Sequence, residues 1–341
     1  MIQKQGSVLS FSSRPVLLSG AAVGGKAEGQ GPCANEFDRC YADDYICCKT
    51  WEQAESALQK EALLTALKKA DTNAEDVDYL FSGDLLDQCI ASATAAKALQ
   101  IPMTGLYGAC STFALGLALS AVFVGCNAAK YALVAASSHF CSAEKQFRFP
   151  LEYGNQRQPT TQRTATAAGA VLVGNRKTGC CIEAALIGTI QDLGITDAAN
   201  MGAAMAPAAA DTIEKFLTQT QTQPADYDCI LTGDLGAVGS RLLCQILFHK
   251  GIDISAVHED CGNLLFDATK QDVHAGASGC GCSAALVSTL FRRKIENGLL
   301  QNVLFVGTGA LMSPLSVQQG ETIPGIAHAV LLSMKNNKLT K

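Results

Sequence analysis

Aromatic residues are scarce, with one Trp, seven Tyr and thirteen Phe making 6% of 341 residues. Charged residues reach only 17%, and their formal balance is -5. A chain with no basic surplus exerts no electrostatic pull on nucleic acid or anionic lipid, so small molecules and proteins are the expected partners. No window offers about 18 uninterrupted apolar residues, which argues against a membrane-spanning helix. The opening "MIQKQGSVLSFSSRPVLLSGAAVGG" lacks an apolar core of signal-peptide length, and the chain is expected on the cytosolic side. Paired C-x2-4-C spacing is missing where Cys33, Cys40, Cys47 and Cys48 would need it for zinc. The fifteen cysteines are therefore expected to be reduced, mostly buried small hydrophobes.

What is abundant is Ala, Gly, Leu and Val, within a 48% hydrophobic composition. This is the usage of a buried, largely parallel sheet wrapped by helices, an α/β protein with room for two domains or one duplicated fold. The chain carries such a duplication. "AEDVDYLFSGDLL" (Ala74 to Leu86) and "PADYDCILTGDLG" (Pro224 to Gly236) align Asp76 with Asp226, Asp78 with Asp228 and Asp84 with Asp234. Each follows a segment with helical spacing of apolar positions, "ALQKEALLTALKKA" and "AAADTIEKFLTQT". Farther on, "GACSTFALGLALSAVFVG" is echoed by "GCSAALVSTLFRRKIENG", which aligns Cys110 with Cys282. The junction is placed in "DLGITDAAN", giving halves of residues 1–194 and 195–341.

Strands are expected at Tyr79 to Ser82, Tyr131 to Ala136, Gly169 to Val173, Cys229 to Thr232, Val303 to Gly307 and Ala327 to Leu332. The helix after Cys110 is apolar nearly all round and should lie between two sheets. Its counterpart turns polar at "FRRKIENG" and should reach solvent.

Two halves, each with a buried helix opened by a cysteine, resemble the thiolase fold of thiolases and 3-oxoacyl carrier-protein synthases. A closer likeness lies in "FSGDLLDQCIASATAAKALQIP", "AASSHFCSAEKQFRFPLEYG", "DLGITDAANMGAAMAPAAADTI", "GASGCGCSAALV" and "IPGIAHAV". These resemble the stage V sporulation protein AD family of endospore-forming bacteria, in order from about Val16 to about Leu332. The resemblance implies a non-enzymatic member of the fold that binds dipicolinic acid or its calcium chelate. It also implies membrane proteins of the same operon as partners, a homodimer, and a position on the cytosolic face of the spore inner membrane. No cofactor is expected.

In the synthases the residue at Cys110 accepts the acyl group. A helix N-terminus favours its thiolate, but condensation also needs neutral donors for an oxyanion. The synthase histidine belongs at the end of "ILTGDLG", where this chain has Thr232, Gly233 and Asp234, and the synthase asparagine belongs at Ser278. Condensation is therefore not expected.

Of the five histidines, His249 and His258 read as surface residues, and His274 and His328 as hydrogen-bonded structural ones. His139 ends the strand after the Cys110 helix, where ligand-facing groups gather. Asp84 and Asp234 admit two readings, a helix cap or a pocket carboxylate able to hold calcium. Lys145, Arg148, Arg157 and Arg163 lie in a loop-like insertion where an arginine could clamp a carboxylate or solvated charges could simply gather. The expected ligand-binding residues are Cys110, Ser111, His139, Asp84, Arg148 and Arg163, with no metal ligands assigned.

Overall fold

The computed structural model describes residues 1–147 and 157–335. Ten strands build its centre. In the first half these are β1 (Val16–Gly24), β2 (Tyr79–Gly83), β3 (Met103–Gly105), β4 (Tyr131–Ser138) and β5 (Ala167–Gly174). The second half supplies β6 (Gly179–Ile187), β7 (Cys229–Thr232), β8 (His258–Asp260), β9 (Asn302–Ala310) and β10 (Gly325–Lys335). The order is β3-β2-β4-β5-β1 in one half and β8-β7-β9-β10-β6 in the other. Pair by pair, the directions also repeat. β2 runs parallel to β3 and β4, as β7 does to β8 and β9. The β4–β5–β1 pairs are antiparallel, as are β9–β10–β6. The halves meet edge to edge, where Cys181 of β6 faces Val16 of β1.

Helices complete five layers, one between the two half-sheets and one outside each. α1 (Trp51–Lys69) starts at Thr50, whose side chain accepts from Gln53 N, and packs on β1, β4 and β5. α2 (Thr112–Gly125) touches β2 and β4 on one side and β6, β9 and β10 on the other. Its Phe113 and Leu117 are fully buried, and each such side chain contributes about 1.5–3 kcal/mol. α3 (Met201–Thr220) and α4 (Gly236–His249) pack together, with α3 against β9 and β10. α5 (Cys280–Leu286) lies beside α2 on β4 and β5. It continues through a π-turn at Val287–Phe291 into Arg292–Glu296, where Arg293 reaches solvent as its charge requires.

Glycines let both central helices approach their strands. A Cβ on Gly307 of β9 would come within 2.6 Å of Ala114 Cβ, and one on Gly169 of β5 within 2.1 Å of the Ala284 carbonyl carbon.

The repeated aspartates explain why the two motifs match. Asp76 and Asp226 close 3-10 turns and accept from Asn73 N and Gln223 N, respectively. Asp78 Oδ2 accepts from Lys130 N and Tyr131 N, and Asp228 Oδ2 from Gln301 N and Asn302 N. In both halves the same carboxylate ties the end of one loop to the start of the neighbouring strand.

Two expectations need correction. The topological repeat restarts with β6, so the junction lies in the turn at residues 175–178 and not in "DLGITDAAN". β6 escaped notice, with β1, β3 and β8, because short or uniformly apolar runs carry no distinguishing period. Cys110 is preceded by left-handed Ala109 (φ 47) and Cys280 by left-handed Gly279 (φ 99), so by this landmark Cys110 corresponds to Cys280 and not Cys282.

Candidate functional site

The turn "GLYGACST" leads from β3 into α2. Ala109 adopts φ 47, uncommon for a residue with a side chain, and this swings Cys110 toward the helix end. Ser111 Oγ donates to Gly108 O at 2.6 Å and Thr112 Oγ1 to Ala109 O at 2.7 Å, which brace the turn from behind.

Cys110 lies on the floor of a partly open cavity, with about 510 Å³ of unoccupied space when the solvent at its mouth is included. Met201, Met205, Met312 and Phe147 form an apolar wall. Tyr107, 47% exposed, stands at the rim. The polar end is made by Cys110, Thr164 and Ser278. Thr164 and Ser278 are register partners in a short parallel ladder that joins the two halves, Arg163–Thr164 with Ala277–Ser278. Among the described residues no Lys, Arg or His lines this cavity.

Beneath the floor sits Asp234, 1% exposed. Its Oδ2 accepts from Ser278 Oγ at 3.2 Å and Gly279 N at 2.9 Å, and its Oδ1 from Thr308 Oγ1 at 2.9 Å. Asp234 N donates to Thr308 Oγ1 in return, at 3.2 Å. Ser278 Oγ is 3.9 Å from Cys110 Sγ. Asp260, also buried, takes over the capping of the next turn by accepting from Leu235 N, Gly236 N and Asn263 N.

Burial raises the Asp234 carboxyl to about 7; the nearby Asp260 adds to this, and hydrogen bonds with Cys110 and Thr308 oppose it. The Cys110 thiol is pushed well above its ordinary value by burial, then by the Asp234 charge. The thiolate expected from the helix N-terminus is therefore overridden: desolvation and an adjacent carboxylate outweigh the helix dipole.

The other anticipated residues are placed elsewhere. His139 is fully buried, with Cys141 N donating to its Nδ1 at 3.2 Å and its Nε2 at 2.7 Å from Asp44 O. That pattern uses both nitrogens of a neutral ring, whose protonation burial also disfavours. Asp84 turns away from the cavity: Oδ1 accepts from Leu86 N at 2.9 Å, and Oδ2 from Ser92 N at 2.7 Å and Ser92 Oγ at 2.6 Å. Arg163 stacks on the Phe140 ring, 3.9 Å from its centroid. Ser111 is consumed by the turn, and Arg148 lies outside the described residues. Among the expected set, Cys110 reaches the cavity.

Of the remaining histidines, His258 corrects the surface reading: it opens β8, its Nε2 is 2.9 Å from Thr232 Oγ1, and burial lowers it to about 4. His328 accepts from Gly188 N at Nδ1 and is likewise lowered to about 4 by burial. Among the described residues no group of three His, Cys, Asp or Glu converges as a metal site would.

Sequence reasoning missed Tyr107, Thr164 and the three methionines. Tyr107 lies three residues before Cys110, and that proximity was the available signal. The methionines come from segments about 100 residues apart that only the fold brings together.

The family profile described as Stage V sporulation protein AD matches residues 5–333. The chain belongs to the stage V sporulation protein AD family. A Bacillus subtilis (strain 168) member is 43% identical over 318 residues, covering 93% of this chain and 94% of that protein. Family membership assigns the chain a role in sporulation. Solved structures reproduce the fold. The 3-oxoacyl-[acyl-carrier-protein] synthase III of Aquifex aeolicus superposes with a TM-score of 0.59 at 15% identity, over 94% of this chain and 99% of that one. A Xanthomonas campestris OleA variant solved with cerulenin gives 0.58 at 14% identity, over 97% and 99%. The chain thus shares the fold of these synthases at low sequence identity.

Proposed function

We propose that this stage V AD family member binds dipicolinic acid, or its calcium chelate, in the Cys110 cavity without turning it over. The bound ligand would be delivered to membrane proteins of the same sporulation set for uptake into the developing spore. One observation carries the reading: among the described residues, Cys110 has the Ser278 hydroxyl and the Asp234 carboxyl as side-chain polar neighbours. A condensing site needs donors that stabilise a new oxyanion, and a carboxylate does the reverse. A mainly apolar cavity, open at one side and with a polar end, suits a flat aromatic acid. Homodimerisation, and a peripheral place on the cytosolic face of the spore inner membrane, belong to the same proposal. Among the described residues no helix is long and apolar enough to cross a membrane. Calorimetric titration with dipicolinate, with and without calcium, tests the reading. Saturable binding is expected, and none in either condition overturns it.

A second reading, acyl transfer through Cys110, is favoured by the left-handed Ala109 that aims the thiol into the cavity. Mass spectrometry after incubation with acyl-coenzyme A separates the two. An adduct on Cys110 that Cys110→Ser abolishes would establish transfer.

A further inference from the structure

Ser278 faces the cavity on one side and a buried carboxyl group on the other. A hydroxyl has a single proton to donate. In the structure Ser278 Oγ donates it inward to Asp234 Oδ2, at 3.2 Å. The Cys110 thiol, 3.9 Å from Ser278 Oγ and also in hydrogen-bond contact with the Asp234 carboxylate, then gives its proton inward too, because the Ser278 proton is already engaged. With Asp234 ionised, both groups present lone pairs to the cavity, and a carboxylate arriving there meets acceptors. A proton on Asp234 Oδ2 reverses the chain. The acid donates to Ser278 Oγ, and the Ser278 and Cys110 hydrogens are free to turn toward the cavity.

We propose that Asp234 is a proton-operated positioning residue, whose protonation turns Ser278 and Cys110 outward as donors so that the cavity takes up a carboxylate together with one proton. This rests on the binding reading above. The proton comes from solvent and remains on Asp234, and no covalent bond to the ligand forms.

The surroundings of Asp234 suit this role. Cys110 faces it from the turn before α2, Cys280 and Cys282 from α5, and Asp260 and Cys261 from the segment after β8. Gln162 Nε2 donates to its backbone carbonyl, and Thr308 holds Oδ1 from β9. His258 stands behind Asp260, on the shared Thr232 hydroxyl. The nearby charge is thus negative, and burial already brings the carboxyl to about 7, where both protonation states are accessible.

The test is calorimetric titration of the full chain with dipicolinate from about pH 6 to pH 8.5, where ligand carboxylates stay ionised. Repeating it in buffers of different ionisation enthalpy counts the protons taken up. Uptake should rise toward one proton per ligand above about pH 7, with affinity falling roughly tenfold per pH unit there. Asp234→Asn, whose amide donates at every pH, should bind with no proton uptake and a flat pH profile. Ser278→Ala should lose roughly tenfold in affinity on the acid side and with it most of the pH dependence. This second variant also serves if Asp234→Asn does not fold. Saturable wild-type binding with no proton uptake at any pH overturns the relay and leaves the binding reading intact. No saturable binding at any pH overturns the binding reading itself, and the relay with it.

Discussion

Asp84 and Asp234 end equivalent strands of the two halves. The Asp84 carboxylate accepts from Leu86 N, Ser92 N and Ser92 Oγ within its own half. The Asp234 carboxylate reaches to Ser278, Gly279 and Thr308 at the centre of the molecule. The difference traces to a second acid. Asp260 satisfies Leu235 N and Gly236 N, the local donors that Asp234 would otherwise serve. Freed from capping, Asp234 meets the cavity floor.

Asp84 is therefore a structural group. Asp84→Ala would leave Leu86 N, Ser92 N and Ser92 Oγ without their acceptor in a buried site, at a cost of about 1–3 kcal/mol for each group that finds no substitute. Thermal denaturation should show a clearly lowered midpoint. Titrations with dipicolinate and with its calcium chelate should weaken equally, if at all.

Glu55 predicts how stability responds to pH. It is fully buried, accepts from Ser137 Oγ and Ser142 Oγ, and is raised from 4.5 to about 8 by burial, then by the charge of Asp84. Between those values the folded chain holds a proton that the unfolded chain releases. Its stabilising contribution is full below about 4.5 and is lost as pH rises toward 8. Glu28 and Asp234, each raised to about 7, act in the same direction. The urea midpoint should fall as pH rises from about 4.5 to about 8. Glu55→Gln should reduce that fall, by on the order of 2 kcal/mol at the alkaline end.

Cys110 should be a slow thiol. Cys47 and Cys126 are exposed, whereas Cys110 is 8% exposed with its thiol pushed well up by burial. Alkylation by iodoacetamide near pH 8, followed by peptide mass spectrometry, should label Cys47 and Cys126 first and Cys110 much later. Early labelling of Cys110 would mean that the thiolate forms readily and would favour the acyl-transfer reading.

Gly309 predicts how tightly the cavity floor is held. A Cβ there would lie 2.3 Å from Gly108 O and 3.3 Å from Ala109 Cβ, so Gly309→Ala must push the turn before Cys110 out of place. The expected loss is about 1–3 kcal/mol or more, since the obstacle is backbone rather than a movable side chain. Ligand affinity should fall with it. Gly320→Ala, where a Cβ meets nothing within 4 Å, is the comparison for a purely conformational effect at φ 81.

Local chemistry repeated in order made the architecture legible. Asp76 and Asp226 accept from the backbone three residues before them, and Asp78 and Asp228 each tie their motif to the start of a neighbouring strand. The same residues therefore recur in both halves, and the duplication and the helix–strand succession could be read from the sequence. The α2 stretch was equally readable, because a helix apolar on every side has no place except between sheets. The assembly of the site depended on residues distant in sequence. Ser278 meets Cys110 and Asp234 across 168 and 44 positions. Nothing local in "GASGCGCSA" records that its hydroxyl closes a chain to a buried acid. Nor could the sequence alone settle the charge state of Cys110. A helix N-terminus lowers a thiol's pKa, but burial beside Asp234 raises it, and how deep a group lies is known only once both sheets have closed over it.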